Sequence, residues 1–194
     1  MTCDTRKSAR TIAKTGHMML VANEKALAVL PPAILDIEAS GFGLGSYPIE
    51  VGFIQPDGQT WCSLVKPQPD WQHWDPNAAS VHNITREQLQ QNGRSASDIV
   101  EVLNTHLHGM TVYSDAWAHD YTWLNRLYEA AGCSPRFKLE SLRALLSDSE
   151  ATVWHEVKLN VVNRSGLERH RASADARILQ QTWLALRNSE RAAA

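Results

Sequence analysis

Cysteine is scarce in this 194-residue chain. The three present, Cys3, Cys62 and Cys133, are scattered and form no CxxC pair. That excludes a disulfide framework and a cysteine zinc site, and it fits free thiols in a reducing, cytoplasmic setting. Long apolar runs are missing too. No stretch approaches the roughly 20 residues of a membrane span, so no membrane partner is expected. An excess of either charge is also absent. Nineteen Lys and Arg stand against 21 Asp and Glu, a formal net charge of −2. Nothing in the bulk charge calls for a polyanion partner, so any nucleic-acid contact must be local. Residues 1–20 lack the apolar core of a secretory signal and hold Asp4 as their one acid. Residues 1–31 read as an extension: a disordered tail, an organelle-targeting segment, or residues ahead of a later start at Met18 or Met19.

What is present is an ordered alternation of elements. Pro31 and Pro32 precede a short apolar strand at 33–38. Segments 48–55 and 59–66 are rich in β-branched and aromatic residues, and the "PDG" at 56–58 makes a tight turn between them. A polar loop, "KPQPDWQHWDPNAAS", follows. Thr85 and Ser95 are expected N-caps of helices at 85–91 and 95–107. A strand is expected at 110–114, a helix at 119–131 ending at Gly132, a short helix in "LESLRALL", a helix at 150–161 and a final helix at 171–187. The order predicts one α/β domain over 32–188 with a mixed sheet, and a fraying tail at 189–194.

The first strand is unusual. In "AILDIEASGFG", residues 33–43, Asp36 and Glu38 interrupt an apolar run. Residues i and i+2 of a strand point to one side, so the two carboxylates converge. A divalent cation would relieve their repulsion, because hard cations prefer oxygen ligands. A strand end exposed to water is the plain alternative. In "YSDAWAHDYTWLNRL", Asp120 shares a helical stripe with Leu124, Leu127 and Ala131. An acid there either complements the helix N-terminus or serves a metal site. In "ERHRASADARILQQTWLAL", Asp175 shares a face with Ile178, Leu179, Thr182 and Leu186, and His170 lies five residues earlier. A histidine beside clustered acids is a candidate general base.

In this order the motifs "DIEASG" (36–41), "SDAWAHDYTWL" (114–124) and "HRASAD" (170–175) resemble those of the DEDDh group of DnaQ-like 3′–5′ exonucleases. That superfamily includes the proofreading exonuclease subunit, ribonuclease T and oligoribonuclease. Val81-His82-Asn83-Ile84-Thr85 also resembles the family's Val-His-Gly-Ile-Thr turn, and the likeness covers about residues 32–187. The middle motif departs from the family's Asn-containing pattern. Asp115 stands near the Asn-like place and remains a second candidate beside Asp120 for the middle acid.

The resemblance implies a ribonuclease H-like fold of about five strands, the first three antiparallel, flanked by helices. It implies hydrolysis assisted by two divalent ions, Mg²⁺ or Mn²⁺, about 3.5–4 Å apart. Asp36 would bridge them, and Glu38, Asp120 and Asp175 would complete the ligands. His170 would take the proton of the attacking water. The partner would be the 3′ end of single-stranded DNA or RNA, releasing 5′-mononucleotides. Ser40, Gly41 and Phe42 resemble the segment that approaches the terminal nucleotide, and Val81 and His82 would line the pocket for the last base. Trp71 and Trp74 are read as packing residues rather than stacking platforms. Arg136, Lys138, Arg164, Arg169 and Arg171 are either a basic rim or ordinary surface charge. The alternative to an enzyme is a catalytically silent nucleic-acid-binding or accessory subunit of the same fold, and a third reading is a structural protein with incidental acids. The expected form is free-standing, with a homodimer as one arrangement.

Overall fold

The computed structural model describes residues 30–167 and 169–193, so the expectations for residues 1–29 lie outside the described residues. From Pro31 onward the chain forms one unit. Its centre is β1 (Ala33–Ala39), flanked on one side by β2 (Pro48–Ile54) and β3 (Thr60–Leu64). On the other side lie β4 (Thr111–Ser114) and β5 (Lys138–Ser141), giving the order β3-β2-β1-β4-β5. The first three strands are antiparallel, and β4 and β5 run parallel to β1. The sheet is therefore the mixed, five-stranded one that the sequence predicts.

A central strand is covered on both faces, which is why "AIL" is apolar without alternation. Among the described residues six helices flank the sheet. The first three are α1 (Pro76–His82), α2 (Arg86–Asn92) and α3 (Ala96–His106); α4 (Trp117–Ala131), α5 (Asp148–Ser165) and α6 (Ala172–Ala193) follow. Leu35 and Ile37 of β1 pack in one core with Leu89, Ile99, Leu103, Leu124 and Leu127 from α2, α3 and α4. Ile34, on the opposite face, packs with Ala176 and Leu179 of α6, and Trp154 of α5 joins them. Asp36 and Glu38 continue the Ile34 side to the carboxyl end of β1.

Thr85 and Ser95 cap α2 and α3 as expected, Thr85 within a capping box. Four expectations need correction. The loop before α2 contains a helix, α1, started by the Asp75 side chain and by Pro76 at its first position. "LESLRALL" is not one helix. Its "LES" pairs with β4, and only Leu142–Leu145 forms a 3₁₀ turn. Helix α5 starts two residues earlier than expected, because Ser147 and Glu150 form a capping box. The expected tail at 189–194 is helical through Ala193.

Candidate nuclease site

The site begins with two backbone devices. The pairing of β1 with β2 shifts register between Glu38 and Ala39, where β1 ends. Such irregularities commonly re-aim side chains beside a site. Farther along β2, a Cβ on Gly52 would lie 2.4 Å from the backbone nitrogen of Ser173. Only glycine lets the first turn of α6 rest directly on the strand, and that close approach brings Asp175 and His170 to the acids of β1.

Glu50 locks this seat. It is fully buried. It accepts hydrogen bonds from Arg171 Nε and Nη2, the latter at 2.7 Å, and from the backbone N–H of Ala172 at 2.8 Å. The backbone N–H of His170 donates to Asp175 Oδ2 at 2.8 Å, with His170 at φ 62, in the left-handed region. Sequence reasoning missed Glu50. Its signal was an acid inside "PIEVGFI", a strand whose seven residues are all buried.

On the opposite wall, Asp120 sits in the first turn of α4 with 1% exposure. The Ser114 hydroxyl donates to its carboxylate. Asp115 is exposed and pairs with Lys158 of α5 at 2.7 Å. Of the two candidates for the middle acid, Asp120 is the buried one, fixed against β1 and β4.

These walls enclose a cleft of about 410 Å³. Asp36, Glu38, Asp120, His170 and Asp175 all line it, as does Asp115. Gly41, Phe42, Val81 and His82 line it as well. Ser40 does not. Its hydroxyl is buried, accepts from the backbone N–H of Tyr47 and pairs with His73 Nδ1, so it is committed inside the protein. Gly41 is required by packing against the protein itself, since a Cβ there would lie 2.5 Å from that of Asp75. His82 is 5% exposed and its Nδ1 accepts from the N–H of Ile84. Among the described residues its Nε2 has no partner.

His119, Trp123, Ala78 and Lys158 are among the lining residues that were not singled out for the site from the sequence. His119 stacks on Trp123, with ring centroids 5.6 Å apart, and Phe42 meets His119 edge-on. The basic rim does not assemble. Arg169 alone of the five reaches the cleft. Arg171 holds Glu50 and Lys138 pairs with Glu140. Trp71 and Trp74 pack as expected, Trp71 stacked on Tyr47 and Trp74 edge-on to His82.

The electrostatics are those of crowded acids. Asp36 is pushed well above the usual carboxylate range, first by burial and then by Asp120, Glu38, Asp175 and Asp115. Glu38 is pushed up to about 7 by burial, then by Asp175 and Glu50, with Arg171 opposing. Asp120 also reaches about 7 through burial, although its bond from Ser114 pulls the other way. One ligand atom each from Glu38, His170 and Asp175 lie within 4.8 Å of one another, close enough to share a metal ion. Oxygen-rich, mutually repelling donors fit a hard divalent cation.

Solved structures share this arrangement of strands and helices. Escherichia coli exonuclease I in complex with a dA16 oligonucleotide superposes with a TM-score of 0.61 and 13% identity, over 77% of this chain and 39% of that one. The fold is the ribonuclease H-like fold of exonuclease I. Exonuclease I from Methylocaldum szegediense gives 0.57 and 14%, over 80% of this chain and 40% of that one. A zinc-bound E. coli exonuclease I complex with single-stranded DNA gives 0.58 and 12%, over 81% and 40%. The chain thus spans about two fifths of the length of the exonuclease I structures it matches. No family model and no curated protein sequence matches it. No helix among the described residues is long and apolar enough to cross a membrane.

Proposed function

We propose that the protein is a divalent-metal-dependent 3′–5′ exonuclease acting on single-stranded nucleic acid, with DNA the first substrate to test. The observation that carries this reading is the convergence of Asp36, Glu38, Asp120, His170 and Asp175 from three distant segments on one cleft. The single-stranded DNA in the exonuclease I complexes supports the choice of DNA.

Asp36, Glu38, Asp120 and Asp175 would hold Mg²⁺ or Mn²⁺. Bound there, the cations would supply charge stabilisation to the attacking and leaving oxygens of the phosphodiester. Asp36 would be the shared ligand, since its carboxyl feels the other three acids at once. The His170 imidazole would accept the proton of the attacking water, its loop fixed by the backbone bond to Asp175. Phe42, His119 and Val81 would shelter the terminal base, and a 5′-mononucleotide would leave.

The test is a degradation series. Labelled single-stranded DNA, RNA and very short oligonucleotides are incubated with Mg²⁺, Mn²⁺ or chelator, beside Asp36→Ala and His170→Ala. Metal-dependent shortening from the 3′ end is expected for the wild type and should vanish in Asp36→Ala. His170→Ala should lose at least a hundredfold in turnover while keeping divalent binding by calorimetry. If its divalent affinity collapses instead, His170 is a ligand and not the base. If no substrate is cut, the non-catalytic binding-subunit reading replaces this one.

A further inference from the structure

The cleft has a charge problem that its acids cannot solve. Five carboxylates line it, those of Asp36, Glu38, Asp115, Asp120 and Asp175, and the substrate it is read to take is a polyanion. Cations bound to the acids would serve the bond being cut. The phosphates on either side still need donors of their own. Among the cleft's lining residues, the Lys and Arg side chains are Lys158 and Arg169.

Lys158 is out of place for a surface lysine. It follows Trp154 by one helical turn, and both lie on the partly buried stripe of α5, where Trp154 packs on the Ile34 cluster. An apolar residue is the ordinary occupant of such a position. Its ammonium instead reaches Asp115 at 2.7 Å, with both side chains about a quarter to a third exposed. That single bond uses one of three N–H donors. Among the described residues the other two have no partner. A partly exposed pair of this kind adds little to stability, so a tether alone explains little.

Resting on the exonuclease reading, we propose that Lys158 is the cleft's contact for a backbone phosphate of the single strand, and that Asp115 is its holder and not a metal ligand. Asp115 keeps the ammonium extended over the cleft. The two remaining N–H groups meet the phosphate oxygens as a point charge, which tolerates any base sequence.

The experiment measures binding of a fluorescein-labelled oligo-dT by anisotropy in chelator across a salt series. The Michaelis constant for the same strand with Mn²⁺ is measured across the same salts. Lys158→Gln, Lys158→Arg and a control at exposed Lys66, Lys66→Gln, are compared with the wild type. Lys158→Gln should bind severalfold more weakly, and its slope of log affinity against log salt should be shallower by about 0.7, the loss of one phosphate contact on a single strand. Lys158→Arg should keep the wild-type slope, and Lys66→Gln should match the wild type. If the strand is held only when Mn²⁺ is present, the Michaelis constants carry the same comparison. A wild type that cuts while Lys158→Gln retains an unchanged slope overturns the role of Lys158 and leaves the exonuclease reading standing. A wild type that neither binds nor cuts overturns both.

Discussion

Asp36 is the residue on which the cleft's charges converge. Without a cation, it and its neighbours Glu38 and Asp120 hold protons at pH values where an ordinary carboxyl has lost them. The folded state then carries protons that the unfolded chain releases above about pH 4. The stability these groups contribute is complete below that pH and is lost as pH rises through about 7. His82 works in the opposite sense, since burial holds its imidazole below the ordinary value. The comparison is therefore made against Glu38→Gln, which keeps His82 and removes one carboxyl. Between pH 5.5 and 8 the melting temperature of metal-free wild type should fall more steeply than that of the variant, by a few degrees. Mg²⁺ or Mn²⁺ should raise the wild-type midpoint more at pH 8 than at pH 5.5, because cation and proton compete for the same oxygens. Equal slopes in the two proteins would contradict this account.

At the scale of elements, the seat of α6 decides the site. Gly52 admits the helix, and Glu50 fastens the turn that carries His170. Glu50→Ala leaves Arg171 and the Ala172 N–H without their buried acceptor. It should cost about 3 kcal/mol in urea unfolding, less than a fully buried pair because Arg171 is 41% exposed. Glu50→Gln, which keeps an acceptor, should lose less than half of that. Caps were legible in the sequence because their chemistry is local: Thr85 and Ser95 need only the next turn. Strand β5 was not. Leu139, Leu142, Leu145 and Leu146 have helical spacing, and only the pairing of Val112 with Leu139 draws the first residues into the sheet. Helix α1 could have been found from Asp75-Pro76, a start signal that the tryptophan-rich surroundings obscured. Glu50 and Lys158 stayed hidden for a different reason. Each is an isolated charge whose partner, Arg171 or Asp115, lies many residues away.

Across the whole molecule, the order of acids was the readable part. Asp36 and Glu38, then Asp120, then His170 and Asp175 could be placed in sequence, and the sheet topology brings them to one cleft. What could not be read was which way a side chain turns once there. Ser40 and Asp115 look as available as their neighbours in the sequence, yet one faces the interior and the other grips a lysine.

The wide spacing of the site along the chain has a temporal consequence. During synthesis all five strands are complete by residue 141, whereas His170 and Asp175 are added some thirty residues later. A ribosome-bound chain therefore completes its strands before it holds all five of the residues to which the proposed reaction is assigned. Chains stalled with residues up to 165 emerged should leave a labelled strand intact, and chains displaying the whole sequence should shorten it. On the exonuclease reading, a chain ordered in this way withholds its chemistry from the nucleic acids that surround its own synthesis until Gly52 receives α6.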